Sequence, residues 1–114
     1  MIGPIPLDLK VYRGDNFGVT VTITDKHATP NPVPLPTDGE WKAQIRRRAD
    51  MPKVYAAMTV DASNGSDGKI RLTMTDEQTS ELSGEMVYDV ENTKPGLRRT
   101  YLKGTITFER DVTR

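Results

Sequence analysis

The chain has 114 residues and no cysteine, and its 16 basic side chains balance its 16 acidic ones, so the formal net charge is zero. This length suits one domain with one core, and the lack of cysteine excludes disulfides and thiolate metal sites. Zero net charge argues against nucleic acid as the main partner, and no apolar run approaches the ~20 residues of a membrane span.

The chain begins with a short segment that we predict to be an N-terminal arm, residues 1–6, ahead of a single domain at residues 7–114. The arm carries Ile2 and Ile5 among prolines. It lacks the basic and apolar regions of a signal peptide. A first strand is predicted at about residues 5–12.

Alternation of apolar and polar residues continues through most of the chain, which places one face of each strand on a core and the other in water. We predict further strands at about residues 17–24, 40–48, 53–60, 69–75, 85–92 and 98–110. Between the fifth and sixth strands, Thr75 and Gln78 fit a capping box, so a short helical turn is predicted there. The expected fold is an all-β, immunoglobulin-like antiparallel β-sandwich of about seven strands.

Three features of the predicted strands favour the immunoglobulin-like arrangement. Trp41 is placed inward on the third strand. Tyr88 follows the helical turn, either as a tyrosine corner that bonds upstream backbone or as an ordinary half-buried strand tyrosine. If the third and sixth strands are neighbours, outward residues such as Lys42 should pair with Asp89 and Glu91 across the strands.

Several short segments are candidates for contact with a partner. The connection at residues 25–39 contains four prolines, which favour a stiff polyproline II conformation, and it carries Val33 and Leu35. These side chains either dock onto a partner or pack back on the sandwich edges. Arg47 belongs to a basic run that either touches an acidic surface or forms a solvated face, and Tyr101 is a candidate exposed aromatic.

No catalytic residue, cofactor or metal site is predicted. His27 is the only histidine, so a histidine pair for zinc is impossible. The oxygen-bearing residues Asp61, Asn64 and Asp67 miss the spacing of an EF-hand loop, and turn chemistry explains them. The tripeptide Arg13-Gly14-Asp15 occurs at a predicted turn and is common by chance.

The order of motifs resembles small immunoglobulin-like domains of tailed-bacteriophage virion proteins, with the N-terminal domain of phage baseplate upper proteins as the nearest. The resemblance covers about residues 7–114. It rests on the segments Arg13-Gly-Asp-Asn-Phe17, Trp41-Lys-Ala-Gln-Ile-Arg46, Asp67-Gly-Lys-Ile70, Thr75-Asp-Glu-Gln-Thr79, Tyr88-Asp-Val90 and Gly104-Thr-Ile-Thr-Phe108.

This resemblance implies a non-enzymatic structural or adaptor protein of a virion, made in the host cytoplasm, at the tail tip or baseplate. It implies docking onto other virion structural proteins in multiple symmetric copies, with no nucleic acid, membrane or small-molecule substrate. The candidate contact residues are Ile2, Ile5, Val33, Leu35, Arg47 and Tyr101. The alternatives are a capsid or tail-tube decoration protein and a carbohydrate-binding adhesion module.

Overall fold

The computed structural model describes residues 5–23, 35–48 and 50–110. Within these residues the chain forms eight strands, one 3₁₀ turn and one short helix. The strands are β1 Ile5–Pro6, β2 Leu9–Tyr12, β3 Phe17–Thr22, β4 Glu40–Arg46, β5 Ala56–Asp61, β6 Lys69–Met74, β7 Gly84–Lys94 and β8 Leu97–Glu109. The 3₁₀ turn is Gly65–Asp67 and the helix, α1, is Asp76–Ser80. The prediction of an all-β chain is confirmed.

The strands join into one strongly curled sheet with the order β1-β8-β7-β4-β5-β6-β3, and β2 also pairs with β8. The strand β5 changes partner along its length. Residues 56–58 pair with β4, and residues 59–61 pair with β6. The strand β5 therefore joins the β1-β8-β7-β4 part of the curled sheet to its β6-β3 part.

The pairing of the first strands differs from the sequence-based expectation. Both β1 and β2 run parallel to β8, so a purely antiparallel arrangement is wrong. The predicted first strand is also divided in two at Leu7 and Asp8. The first and last strands lie at opposite ends of the sequence, so no tight hairpin forces them to be antiparallel.

The core lies on the inner face of the curled sheet. Ile45, Leu72, Met86, Leu102 and Ile106 are almost fully buried, and each comes from an alternating stretch. Trp41 is partly buried and packs against this core. Its indole N–H donates to the carbonyl oxygen of Pro36 at 3.2 Å, which ties the ring to the residues that precede β4.

The prediction that β4 and β7 are neighbours is confirmed, but the expected ion pair between Lys42 and Glu91 does not form. Lys42 lies opposite Glu91 in the register. However, the Glu91 carboxylate is 3.2 Å from Arg98 on β8, and the Lys42 ammonium is 3.7 Å from Glu40 on its own strand. Because β7 has a neighbouring strand on each side, the Glu91 carboxylate can pair with either, and it pairs with Arg98 on β8.

The Tyr88 hydroxyl donates to the carbonyl oxygen of Leu7 at 2.7 Å, an acceptor 81 residues earlier in the chain. A tyrosine corner bonds backbone only a few residues upstream, so that interpretation is wrong. Tyr88 instead connects the middle of β7 to the link between β1 and β2.

The predicted capping box at the start of α1 is confirmed. The Thr75 hydroxyl accepts from the backbone N–H of Gln78 at 3.2 Å, and the Gln78 side chain accepts from the N–H of Thr75 at 2.9 Å. Asp76 and Glu77 occupy the first turn, where negative charge is favourable.

Thr75→Ala should lower the free energy of unfolding by about 1 kcal/mol, because it removes one half of this reciprocal cap. Urea unfolding followed by circular dichroism measures the change. Thr75→Ser is the matched control, since it keeps the hydroxyl and should stay within a few tenths of a kcal/mol of the parent. Equal losses in the two variants would contradict the capping role.

Candidate functional site

The structure places the predicted contact residues in different environments. Ile2 and Val33 lie outside the described residues. Ile5 is half-buried on β1 and packs against the core. Leu35 is 4% exposed and Tyr101 is 7% exposed, so both fill the core of their own chain and are not surface contacts.

A β-bulge explains why Tyr101 turns inward. In the register of β7 with β8, Val90 faces Leu102 while Glu91 faces Thr100, so Tyr101 is the extra residue. The phase of β8 changes at this point, and Tyr101 and Leu102 are both buried. The Tyr101 ring stacks on Trp41 with 5.3 Å between the ring centroids.

Arg47 remains at the surface and belongs to an exposed cluster in the loop between β4 and β5. We call this cluster the Tyr55 patch; it consists of Arg47, Met51, Lys53, Val54 and Tyr55. The guanidinium of Arg47 is 5.7 Å from the Tyr55 ring centroid, and the Lys53 ammonium is 4.6 Å from it. Met51, Val54 and Tyr55 are each 40% exposed.

Backbone contacts hold the Tyr55 patch in place on both sides. The N–H of Tyr55 donates to the carbonyl oxygen of Ile45 at 2.8 Å. Arg47 donates to the carbonyl oxygens of Ser83 at 3.1 Å and Glu85 at 3.3 Å. Its side chain is thus held between the loop and the start of β7, which restricts its rotamer freedom.

Three members of the Tyr55 patch, namely Arg47, Met51 and Tyr55, are of residue types that are common at protein interfaces, whereas Lys53 is not. Tyrosine, methionine and arginine are enriched at such interfaces, and tyrosine and arginine dominate their binding energy. The sequence had indicated Arg47, but it started the fourth strand at about residue 53. The structure starts β5 at Ala56, so Val54 lies in the preceding loop and is exposed.

A second concave feature lies on the outer face of β4, β7 and β8. It is a cleft of about 520 Å³ whose lining includes Gln44, Arg46, Val87, Asp89 and Lys103. Arg46 donates to the side-chain oxygen of Gln44 at 2.9 Å. Burial, followed by the nearby charge of Glu91, raises the pKa of Asp89 above its usual value, while Arg46 and Arg98 oppose the shift.

Asp89→Asn should raise the free energy of unfolding at neutral pH by no more than about 0.5 kcal/mol, because solvent reaches Asp89 and screens its charge. Because the folded-state pKa of Asp89 is raised, the folded protein disfavours the ionised form, and stability is lost as the pH rises through that pKa. Urea unfolding at pH 7 and pH 3 measures the gain, which should disappear at the lower pH. Asp50→Asn, in an exposed loop, is the control, and a gain of equal size at both pH values would contradict the argument.

The described residues give no support to a sugar-stacking surface. Tyr88 lines the cleft, but its side chain is 3% exposed and its hydroxyl is bonded to Leu7. The exposed tyrosines Tyr12 and Tyr55 lie on β2 and in the β4–β5 loop, so they form no row on one strand. Stacking of a sugar needs an accessible aromatic face, which these residues do not provide together.

The oxygen-rich turn around Asp61 is explained by its own backbone. The carboxylate of Asp61 accepts from the N–H of Ser63 at 2.9 Å, and this bond lowers the pKa of Asp61. Within residues 5–23, 35–48 and 50–110, no three acidic or histidine side chains form a metal-binding group. His27 lies outside these ranges.

The tripeptide Arg13-Gly14-Asp15 serves as a structural turn. Arg13 donates to the carbonyl oxygen of Ser80 at 2.8 Å. The buried hydroxyl of Thr79 accepts from the N–H of Gly14 at 3.0 Å and donates to the carbonyl oxygen of Asp15 at 2.8 Å. The turn is thereby attached to α1. The sequence alone did not single out Thr79, because its only signal was its place in the helical turn.

Comparison with known proteins adds little to this geometry. No family model and no curated protein matches the chain. Among solved structures, it is similar to a nucleoside hydrolase-related hypothetical protein from Saccharophagus degradans that is associated with carbohydrate metabolism, with 11% identity and a TM-score of 0.34. The match covers 90% of this chain and 22% of that one. In the described part of the chain, no helix is long and apolar enough to cross a membrane.

Proposed function

We propose that this chain is a non-enzymatic structural or adaptor protein of a tailed-bacteriophage virion, at the tail tip or baseplate, and that it acts by docking onto neighbouring subunits. The proposal includes an immunoglobulin-like sandwich. Its support is the strand order β8-β7-β4-β5-β6-β3 in a curled sheet, together with the resemblance of the turn and core motifs to phage virion domains.

The Tyr55 patch is the observation that carries the docking function. It combines three side chains that are each 40% exposed with two cations that face the Tyr55 ring. Such a surface suits a partner that offers apolar contact and carboxylates at its rim. A single small interface of this kind binds weakly, but symmetric copies in a particle bind together and gain by multivalency.

The test is the composition of purified particles. Mass spectrometry of virions should detect the protein in a fixed copy number. Tyr55→Ala should reduce its occupancy by about tenfold or more, since truncation of an interface tyrosine commonly costs over 1 kcal/mol of binding. Tyr12→Ala is the matched control, because Tyr12 is 48% exposed and lies outside the patch, so its occupancy should not change.

Two results would contradict the proposal. Virions that lack the protein would exclude a structural role in the particle. Equal occupancy of the Tyr55→Ala variant and the parent would exclude the patch as the docking surface. Labelled antibodies in electron microscopy separate the proposed location from the alternative of a capsid or tail-tube decoration protein, since they mark tail tips in one case and heads or tubes in the other.

A further inference from the structure

The strand β3 lies at the end of the sheet. It pairs with β6, and no other strand among the described residues pairs with it. The N–H of Ile23 donates to the carbonyl oxygen of Gly68, just beyond the end of β6, at 2.8 Å. Backbone groups alternate in direction along a strand, so those of Gly18, Thr20 and Thr22 point away from β6.

The β3 edge lacks the usual protection against strand addition. Exposed edges are normally blunted by charges, prolines, bulges or breaks. The sequence of β3 is Phe-Gly-Val-Thr-Val-Thr, and its six residues pair with β6 in continuous register. The strands β1 and β2 at the other side of the fold contain Pro6 and Lys10 and are interrupted at Leu7 and Asp8. Only the β3 edge in the described structure is therefore uncharged and unbroken.

A cation lies over the outward face of this edge. Arg71 on β6 donates to the Thr20 hydroxyl at 3.1 Å, and its guanidinium covers Gly18 so closely that a Cβ there would collide with it. Arg71 is exposed. Asp61 on β5 lies opposite it in the register, and the charge of Arg71 helps to lower the pKa of Asp61. No described carboxylate comes within 4.0 Å of the guanidinium, so Arg71 can still contact a carboxylate at the β3 edge. Lys69, also on β6, lies opposite Thr22 in the register.

The inward face of β3 is apolar and incompletely covered. Phe17, Val19 and Val21 are partly buried and pack against the core. An added strand would cover them with its own apolar side chains on alternate positions. Its remaining side chains would lie on the same face as Arg71 and Lys69.

We propose that the β3 edge binds an extended segment of another polypeptide in which apolar residues alternate with carboxylates. Its backbone pairs with Gly18, Thr20 and Thr22, and its carboxylates contact Arg71, as in other cases of strand addition. A second copy of β3 carries no carboxylate and fits less well. This surface is distinct from the Tyr55 patch, and the inference does not depend on a location in a virion.

The test uses two end-blocked seven-residue peptides, one alternating valine with glutamate and the other valine with lysine. Amide hydrogen exchange measured by NMR should show rapid exchange at Gly18, Thr20 and Thr22 in the free protein. The glutamate peptide should slow hydrogen exchange at all three amides. The lysine peptide should bind more weakly by a factor of about ten or more. Arg71→Gln should remove this preference, whereas Arg110→Gln, at an exposed position outside the strands, should keep it.

A proline substitution tests the backbone pairing directly. The amide of Thr20 points away from β6, so Thr20→Pro should leave urea unfolding nearly unchanged and abolish peptide binding. Three results would overturn the proposal: protection of the three amides in the free protein, equal affinity for both peptides, or protection that appears only with rising protein concentration, which would identify a second copy as the occupant.

Discussion

Gly104→Ala is expected to lower the free energy of unfolding by about 2–3 kcal/mol, because it inserts a methyl group where the backbone leaves no space. A Cβ at this position would collide with the carbonyl oxygen of Leu7, and it would lie 2.8 Å from the Leu7 carbonyl carbon and 3.2 Å from the Asp8 carboxylate. Backbone atoms cannot move aside as a flexible side chain can. The collision therefore separates the β1–β2 link from β8.

Several interactions depend on that close approach. The N–H of Leu7 donates to the carbonyl oxygen of Lys103 at 3.0 Å. The Asp8 carboxylate accepts from both the N–H and the hydroxyl of Thr105, at 3.1 and 3.0 Å. Displacing Leu7 and Asp8 would weaken these bonds together, so the loss should exceed that of a single contact.

Urea unfolding measured by Trp41 fluorescence gives the change, and Gly96→Ala is the matched control. Gly96 has a φ of +77° and no atom within 4 Å of an added Cβ, so it isolates backbone strain of about 1 kcal/mol. A Gly104→Ala variant no less stable than the Gly96→Ala variant would show that β8 and the first strands are not in close contact.

Local patterns predicted the elements of this fold well. In a strand with one buried face, apolar side chains recur at every second residue, and a capping box needs only Thr75 and Gln78. The all-β class, the approximate positions of the strands and the helical turn therefore followed from sequence alone. So did the neighbouring positions of β4 and β7.

Features that depend on distant residues were not predictable. The inward turn of Tyr101 results from a bulge in the pairing of β7 with β8, and alternation contains no signal for one extra residue. The parallel pairing of β1 and β2 with β8, and the hydrogen bond from Tyr88 to Leu7, join residues about 80 to 100 positions apart.

The candidate site shows the same division. Arg47 was recognisable as part of a basic run. Its contact with Tyr55 across the β4–β5 loop depends on where β5 begins, which is set by pairing with β4 at Ala56. Pro52 was the one local signal that the preceding residues leave the sheet. The sequence left open whether Leu35 docks onto a partner or packs on its own chain. Its burial depends on contact with the distant Gly65, to whose carbonyl oxygen its N–H donates at 2.7 Å, and no local pattern predicts that contact.

Tyr88→Phe is expected to lower the free energy of unfolding at neutral pH by about 1–2 kcal/mol, because the carbonyl oxygen of Leu7 loses its hydroxyl donor in a buried position. The Tyr88 side chain is 3% exposed, so water does not replace the lost bond at low cost. Tyr12→Phe is the control. Its side chain is 48% exposed, and the change should be within about 0.5 kcal/mol.

Alkaline pH should reverse this order of stability. Burial, followed by the nearby charge of Asp8, raises the pKa of Tyr88 from 10.0 to about 12. The folded protein thus holds the phenolic proton more tightly than the unfolded chain, so the stabilisation is complete below pH 10 and is lost as the pH rises through 12. Relative to the Tyr88→Phe variant, the free energy of unfolding of the parent should fall by about 2 kcal/mol over this range. Urea unfolding at pH 8, 10 and 11.5 measures the difference, and parallel pH profiles for the two proteins would show that Tyr88 is not buried against Leu7.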